Sequence, residues 1–112
     1  MPPPERLPVV EFDSPADLRL WLSANHATSA GVLVRLRKGS GPASLTFHDL
    51  LEQGLCFGWS ESTRYRSDHE TYLQKFTPRR RRGTSSPRNA ALARRLTAEG
   101  QMTETGLRAL RG

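Results

Sequence analysis

The sequence predicts a small α+β protein in which three to four helices pack on a largely antiparallel sheet of about three strands. Three observations support this prediction: cap residues followed by apolar helical stripes, short segments of alternating apolar residues, and two such segments joined by a turn. The predicted order of elements is α-β-α-β-β-α-α, which is typical of α+β folds. A chain of 112 residues is long enough for one domain.

The first predicted helix begins at Ser14. A serine there can cap the free amides of the first turn, and Pro15 suits the first helical position. The preceding residues are rich in proline, so we expect residues 1–11 to be a flexible segment, with an extended stretch at 9–12. The single domain is then expected to span residues 12–112.

A strand and a second helix follow. Residues 32–38 predict a half-buried strand, because apolar residues alternate with Arg35 and Arg37, which should lie on the other face. After a glycine-rich loop, Thr46 and Asp49 have the spacing of a capping box and predict a helix start. The apolar stripe of this helix consists of Phe47, Leu50, Leu51 and Leu55.

A hairpin is predicted next, with strands at residues 57–66 and 70–76 joined by a turn at 67–69. Strict alternation places Phe57, Trp59, Glu61, Thr63 and Tyr65 on one face of the first strand, and Tyr72, Gln74 and Phe76 on one face of the second. An arginine-rich loop at 79–85 leads to a helix that starts at Ser86-Pro87 and ends near Gly100, and Thr103 caps a short last helix.

Positive charge is concentrated in the second half of the chain. The formal net charge is +6, and the pI is about 10.7. Up to Thr63 there are five basic and seven acidic residues, whereas twelve basic and four acidic residues follow it. We expect this half to attract an anionic ligand, an acidic protein surface or nucleic acid. The alternative is a solvated surface that only aids solubility.

Several classes of protein are not indicated by the sequence. A single cysteine cannot form a disulfide within the chain, and no paired cysteines or HExxH motif indicate a metal site. There is no glycine-rich nucleotide motif, no apolar stretch of membrane-spanning length and no apolar signal segment at the start. We therefore expect a cytoplasmic protein without a cofactor, and its oligomeric state stays open.

Motifs along most of the chain carry a family resemblance. They are Trp21-Leu22 with Asn25-His26, residues 31–38, the run Leu55-Cys56-Phe57-Gly58-Trp59, Tyr72 with Phe76-Thr77-Pro78-Arg79, Asn89, Gly100-Gln101-Met102-Thr103, and Gly106-Leu107. In order and spacing they resemble the YdeI/OmpD-associated family of small bacterial proteins. Two departures are Ser62 in place of a glycine and the lack of a tryptophan between Arg79 and Asn89. The resemblance implies protection against bacteriocins or cationic antimicrobial peptides and association with an outer-membrane porin, without a catalytic mechanism.

The best candidate for a binding site is the segment in which a strand leads through arginines into the helix start at Ser86. A helix N-terminus beside arginines suits an anion. The candidate residues are Arg79, Arg80, Arg82, Arg88, Asn89, Arg64, Glu61 and Trp59. The alternative to a ligand site is a structural ion pair between Glu61 and Arg79.

We expect a non-enzymatic binding protein whose anionic partner is held by this arginine-rich loop. The alternative function is nucleic-acid binding, in which the same arginines hold the backbone and sheet aromatics such as Trp59 stack on bases. We favour a core position for these aromatics, because a small sheet needs one apolar face to fold. An enzyme is a third hypothesis, but Cys56 has no base nearby, since His48 lies two helical turns earlier, roughly 12 Å away.

Overall fold

A computed structural model describes residues 7–38, 45–79 and 86–110. These residues form the helices α1 (Pro15–Asn25), α2 (Phe47–Phe57), α3 (Pro87–Ala98) and α4 (Glu104–Leu110), and the strands β1 (Val9–Val10), β2 (Val32–Arg37), β3 (Trp59–Arg66) and β4 (Thr71–Pro78). The predicted α+β class is therefore confirmed. Part of the predicted N-terminal segment, residues 1–6, and most of the arginine-rich loop, residues 80–85, lie outside the described residues.

The four strands form one mixed sheet in the order β1-β2-β4-β3. Strand β4 lies between β2 and β3 and is antiparallel to both. Strand β1 adds a short parallel edge to β2, so that Val9 and Val10 belong to the sheet although they fall within the predicted lead-in. The main-chain oxygen of Pro8 extends this pairing by accepting a bond from the amide of Leu33 at 2.8 Å.

The starts of the first three helices follow from their cap residues, as the sequence predicts. In each case a side-chain hydroxyl accepts a hydrogen bond from the amide three residues later, and in α2 the carboxylate of the later residue also accepts from the cap amide. The pairs are Ser14 with Asp17 at 3.2 Å, Thr46 with Asp49 at 3.0 Å in both directions, and Ser86 with Asn89 at 3.3 Å.

Helix α2 runs further than the sequence predicts. Gly58 has a φ of 75°, the left-handed conformation that ends helices and that glycine adopts without steric cost. Phe57 is therefore the last helical residue, and β3 begins at Trp59. The prediction that Phe57 starts the strand is wrong, because the aromatic residues on both sides of Gly58 conceal the helix end.

A β-bulge interrupts β3 and changes which side chains share a face. Glu61 lies opposite Phe76 and Arg64 lies opposite Gln74, so two residues of β3, Ser62 and Thr63, oppose one residue of β4. The predicted strict alternation is therefore wrong beyond Glu61. As a consequence, Arg64 shares the face of the core aromatics, and Tyr65 lies on the opposite face.

Helix α2 is the centre of the core, since it contacts the other three helices and β3. Of the residues predicted to share the core, Leu22, Leu51, Leu55 and Phe57 are buried together, and Trp21 packs against them partly buried. The core thus covers one face of the sheet and reaches Leu36 and Tyr72, which pair near the hairpin-turn end of β2 and β4.

Candidate functional site

Of the residues predicted from the sequence to bind a ligand, those that the structure describes are not grouped around one cavity. Arg64 of β3 lies opposite Gln74 of β4. Gln74 precedes Arg79 by five residues in the chain. With a rise of about 3.3 Å per residue, the backbones at these two positions are about 16 Å apart. Arg80 and Arg82 lie outside the described residues. Arg64 and Arg79 therefore do not lie side by side, and Arg88 and Asn89 belong to α3 and not to the sheet.

Trp59 belongs to the core. Its side chain is 2% exposed, and its ring contacts those of Trp21 and Phe76 with centroid distances of 5.6 and 5.0 Å. Its indole nitrogen donates to the main-chain oxygen of His26 at 3.4 Å. Because it is buried among these aromatic side chains, Trp59 offers no surface on which a base or another ligand could stack.

The candidates near Arg79 line or adjoin a polar cavity. Arg79 is half-buried, and its amide donates to the main-chain oxygen of Gly58 at 2.9 Å, which fixes the end of β4. Glu61 is half-buried and lies opposite Phe76, two residues after the start of β3 at Trp59. This cavity has a volume of about 480 Å³ and is lined by Ser60, Ser62, Thr63, Lys75, Thr77, Pro78 and Arg79.

Arg88 and Asn89 lie in the first turn of α3. Arg88 is exposed, whereas Asn89 is half-buried and donates its amide to the Ser86 hydroxyl. The side-chain oxygen of Asn89 is buried and has no hydrogen-bond partner among the described residues. Both residues therefore flank the predicted helix-start site, but neither lines a described cavity.

A larger cavity, of about 560 Å³, lies toward the opposite end of β4. We call it the cationic pocket; it is lined by Arg37, Lys38, Leu45, Thr46, Phe47, Arg64, Arg66 and Tyr72. Four of these eight residues carry a positive charge, and three are large and apolar or aromatic. Arg64 is the only sequence-predicted site residue in this lining.

The sheet register explains why these residues meet. Tyr72 lies between Leu36 of β2 and Arg66 of β3, and Arg37 lies opposite the preceding residue of β4. Because β2 and β3 are both antiparallel to β4, which lies between them, their C-terminal ends reach the same end of the sheet. Thr46 and Phe47, at the start of α2, complete the pocket.

The bulge in β3 places the side chain of Arg64 on the face of the sheet that lines the pocket. The carbon centre of its guanidinium lies 4.2 Å from the ring centroid of Tyr72 and 5.9 Å from that of Phe47. Tyr72 is only 8% exposed, while Arg64 itself is exposed. The exposed guanidinium of Arg64 thus rests on the buried ring of Tyr72. This cation–π contact favours one orientation of the guanidinium plane.

The hairpin turn fixes Lys38. Its amide donates to the main-chain oxygen of Glu70 at 2.8 Å, and its ammonium donates to that of Asp68 at 2.9 Å. The Asp68 carboxylate accepts bonds from the amides of Glu70 and Thr71, and these bonds lower the pKa of this carboxyl. The ammonium of Lys38 keeps two further donors for a ligand.

The charges of the pocket are not balanced by carboxylates in its lining. No aspartate or glutamate is among the described residues that line it. Asp49 lies close by in the first turn of α2, where its carboxylate accepts the amide of Thr46. The described lining also contains no histidine or cysteine, so it supplies cations and apolar contact but no general base that titrates near neutral pH.

Arg37, Lys38 and Phe47 line the cationic pocket although the sequence did not indicate them as site residues. Alternation placed Arg37 on the far face of its strand, and Phe47 was predicted only as part of a buried helix stripe. Charged residues at the ends of two predicted strands were the available signal, but the order of strands in the sheet was needed to bring them together.

Other chemistry is sparse among the described residues. Cys56 is buried, and burial raises the pKa of its thiol. No group of three or more His, Cys, Asp or Glu residues in this part of the chain could hold a metal ion. No helix among the same residues is long and apolar enough to cross a lipid bilayer.

Comparison with known proteins gives a family without an assigned role. Residues 10–109 match the family described as a domain of unknown function, DUF8412. This match covers most of the chain, so the protein belongs to that family. No curated protein and no solved structure shows significant similarity to the chain. The resemblance to the YdeI/OmpD-associated family stays a prediction.

Proposed function

We propose that the protein is a non-enzymatic binding protein for an anionic partner, and that the cationic pocket is its principal binding site. The single observation that carries this proposal is the grouping of Arg37, Lys38, Arg64 and Arg66 around one cavity, with no carboxylate among the described residues of its lining. Four like charges repel one another, and an anion relieves this repulsion while accepting charge-assisted hydrogen bonds.

The arginine-rich segment at 79–82 is a second proposed contact for an anionic partner. Its first residue, Arg79, lines the polar cavity together with Lys75 and several hydroxyl groups. The cationic pocket supports the proposal more strongly, because the described part of its lining brings together four cations from the C-terminal ends of β2 and β3.

A role in protection against bacteriocins or cationic peptides rests on the family resemblance alone. A pocket with four cations repels a cationic peptide, so such a role would act through an anionic partner. The alternative of nucleic-acid binding through Trp59 is weakened by the burial of that ring. A nucleic acid held by the arginines remains compatible with the proposal.

The proposal is tested by calorimetric titration with tripolyphosphate at low and moderate salt. The double variant Arg64→Ser, Arg66→Ser should bind about tenfold or more weakly than the unmodified protein, since each lost charged hydrogen bond costs about 1.5–3 kcal/mol. The matched control is Arg94→Ser, Arg108→Ser, which removes two exposed arginines from α3 and α4. Equal weakening in both double variants, or no binding by the unmodified protein, would contradict the proposal.

A further inference from the structure

The cationic pocket has an apolar side that an inorganic anion would not use. Leu45 and Tyr72 are buried beneath it, and Phe47 is half-buried in its wall. The cations come from the ends of β2 and β3, so charge and apolar surface meet in the same cavity. A cavity of about 560 Å³ lies within the range of small-molecule sites, about 300–1,000 Å³. Its ligand is therefore expected to carry an apolar part as well as negative charge.

Two planar groups border this cavity. The guanidinium of Arg64 rests on the ring of Tyr72 and remains exposed, and the ring of Phe47 lies 5.9 Å from the same guanidinium. Planar heterocycles stack on phenyl rings and on guanidinium planes, and both kinds of contact recur in the recognition of nucleobases. The apolar part that best fits these groups is a flat, polarisable ring.

From these features we infer that the ligand of the cationic pocket is a nucleoside phosphate. Its phosphates bind the cations at the strand ends, Lys38 and Arg66 among them, and its base stacks against Phe47 and Arg64. This inference rests on the proposed function and adds the class of ligand to it. A free nucleotide and a nucleotide within a single strand present the same chemistry.

The inference is tested by comparing ATP, tripolyphosphate and adenosine in the same titration. ATP should bind about 5- to 150-fold more tightly than tripolyphosphate, as base stacking on one aromatic side chain predicts. Adenosine should bind more weakly than either. If ATP and tripolyphosphate bind equally, the ligand class is wrong and the proposed function stands; if neither binds, both are wrong.

Two variants separate stacking from charge. Phe47→Leu should reduce ATP affinity to the level of tripolyphosphate and leave tripolyphosphate affinity within about twofold. Arg64→Lys keeps the charge but loses the planar group, so it should lower ATP affinity more than tripolyphosphate affinity. The control is Phe12→Leu, a second partly buried phenylalanine, which packs on Trp21 outside the pocket. Equal losses for both ligands in Phe47→Leu would overturn the inference.

The source of the nucleoside phosphate is distinguished with hexa-adenylate RNA. A strand that occupies the pocket and further cations should bind more tightly than ATP, with an affinity that falls more steeply as salt increases. A free nucleotide as the natural ligand predicts equal or weaker binding of the RNA. In either case Phe47→Leu should weaken binding of the favoured ligand; an unchanged affinity would contradict the inference.

Discussion

Gln74 donates its side-chain amide to the main-chain oxygen of Ser62 at 3.1 Å, from the middle of β4 to the bulge of β3. The same amide lies 3.3 Å from the oxygen of Thr63. Gln74 is 2% exposed, so it is a buried polar residue whose donors are used by the two carbonyls of the bulge. Because the bulge decides the face on which Arg64 lies, Gln74 is a positioning residue for the cationic pocket.

Replacing Gln74 tests this relationship. Gln74→Met keeps a similar volume but removes the donor, and we expect the free energy of unfolding to fall by about 1–3 kcal/mol because the bulge carbonyls lose their partner. Tripolyphosphate binding should also weaken as Arg64 loses its orientation. Urea unfolding and calorimetry measure the two effects. The control is Gln53→Met on α2, which removes the side-chain oxygen that accepts a hydrogen bond from Arg19 of α1. This change should leave tripolyphosphate binding unchanged. Unchanged stability and binding in Gln74→Met would contradict the role of Gln74.

Trp59 is expected to contribute to stability and not to binding. Trp59→Ala should lower the free energy of unfolding by about 3–5 kcal/mol, because it leaves a cavity beside Trp21 and Phe76. The affinity for tripolyphosphate and its dependence on salt should stay the same at a temperature at which the variant is folded. Trp59→Phe provides a milder second variant. Loss of RNA binding in a stably folded Trp59 variant would instead support the stacking alternative.

Cys56 is expected to be unreactive in the folded protein. Burial raises the pKa of its thiol, so the reactive thiolate is scarce at neutral pH. Iodoacetamide should label Cys56 slowly in buffer and rapidly in unfolding concentrations of urea, as mass spectrometry would show. Ser23→Cys, which places a thiol on the exposed surface of α1, gives the reference rate. If Cys56 reacts in buffer as fast as this reference, its buried position and the non-catalytic interpretation are both in question.

Local signals in the sequence predicted much of the fold. Ser14, Thr46 and Ser86 marked helix starts because a cap is formed by residues only three positions apart. The bulge between Glu61 and Arg64 could not be predicted in the same way, since it depends on a cross-strand bond from Gln74. A shift of one residue moves every later side chain to the other face, which is why the predicted faces failed beyond Glu61.

The residues that line the cationic pocket were harder to predict from the sequence than the fold. The net positive charge of the second half of the chain pointed to arginines, and Arg64 does line the cationic pocket. Arg37 and Lys38 come from the first half, where acidic residues outnumber basic ones, so the charge distribution drew attention away from them. Their position in the pocket follows from the insertion of β4 between β2 and β3, a property of the sheet order that no local pattern specifies.

The most direct test of the central claim is to record amide chemical shifts by NMR while ATP is added to the 112-residue chain. The cationic pocket predicts the largest changes at Thr46, Phe47 and Arg66, with small changes at Arg88 and Asn89 in α3. The same titration of the Arg64→Ser, Arg66→Ser variant should lose the changes at Thr46 and Phe47. Changes that cluster at Arg88 and Asn89, or that persist at the pocket in the variant, would contradict the assignment of the cationic pocket as the binding site.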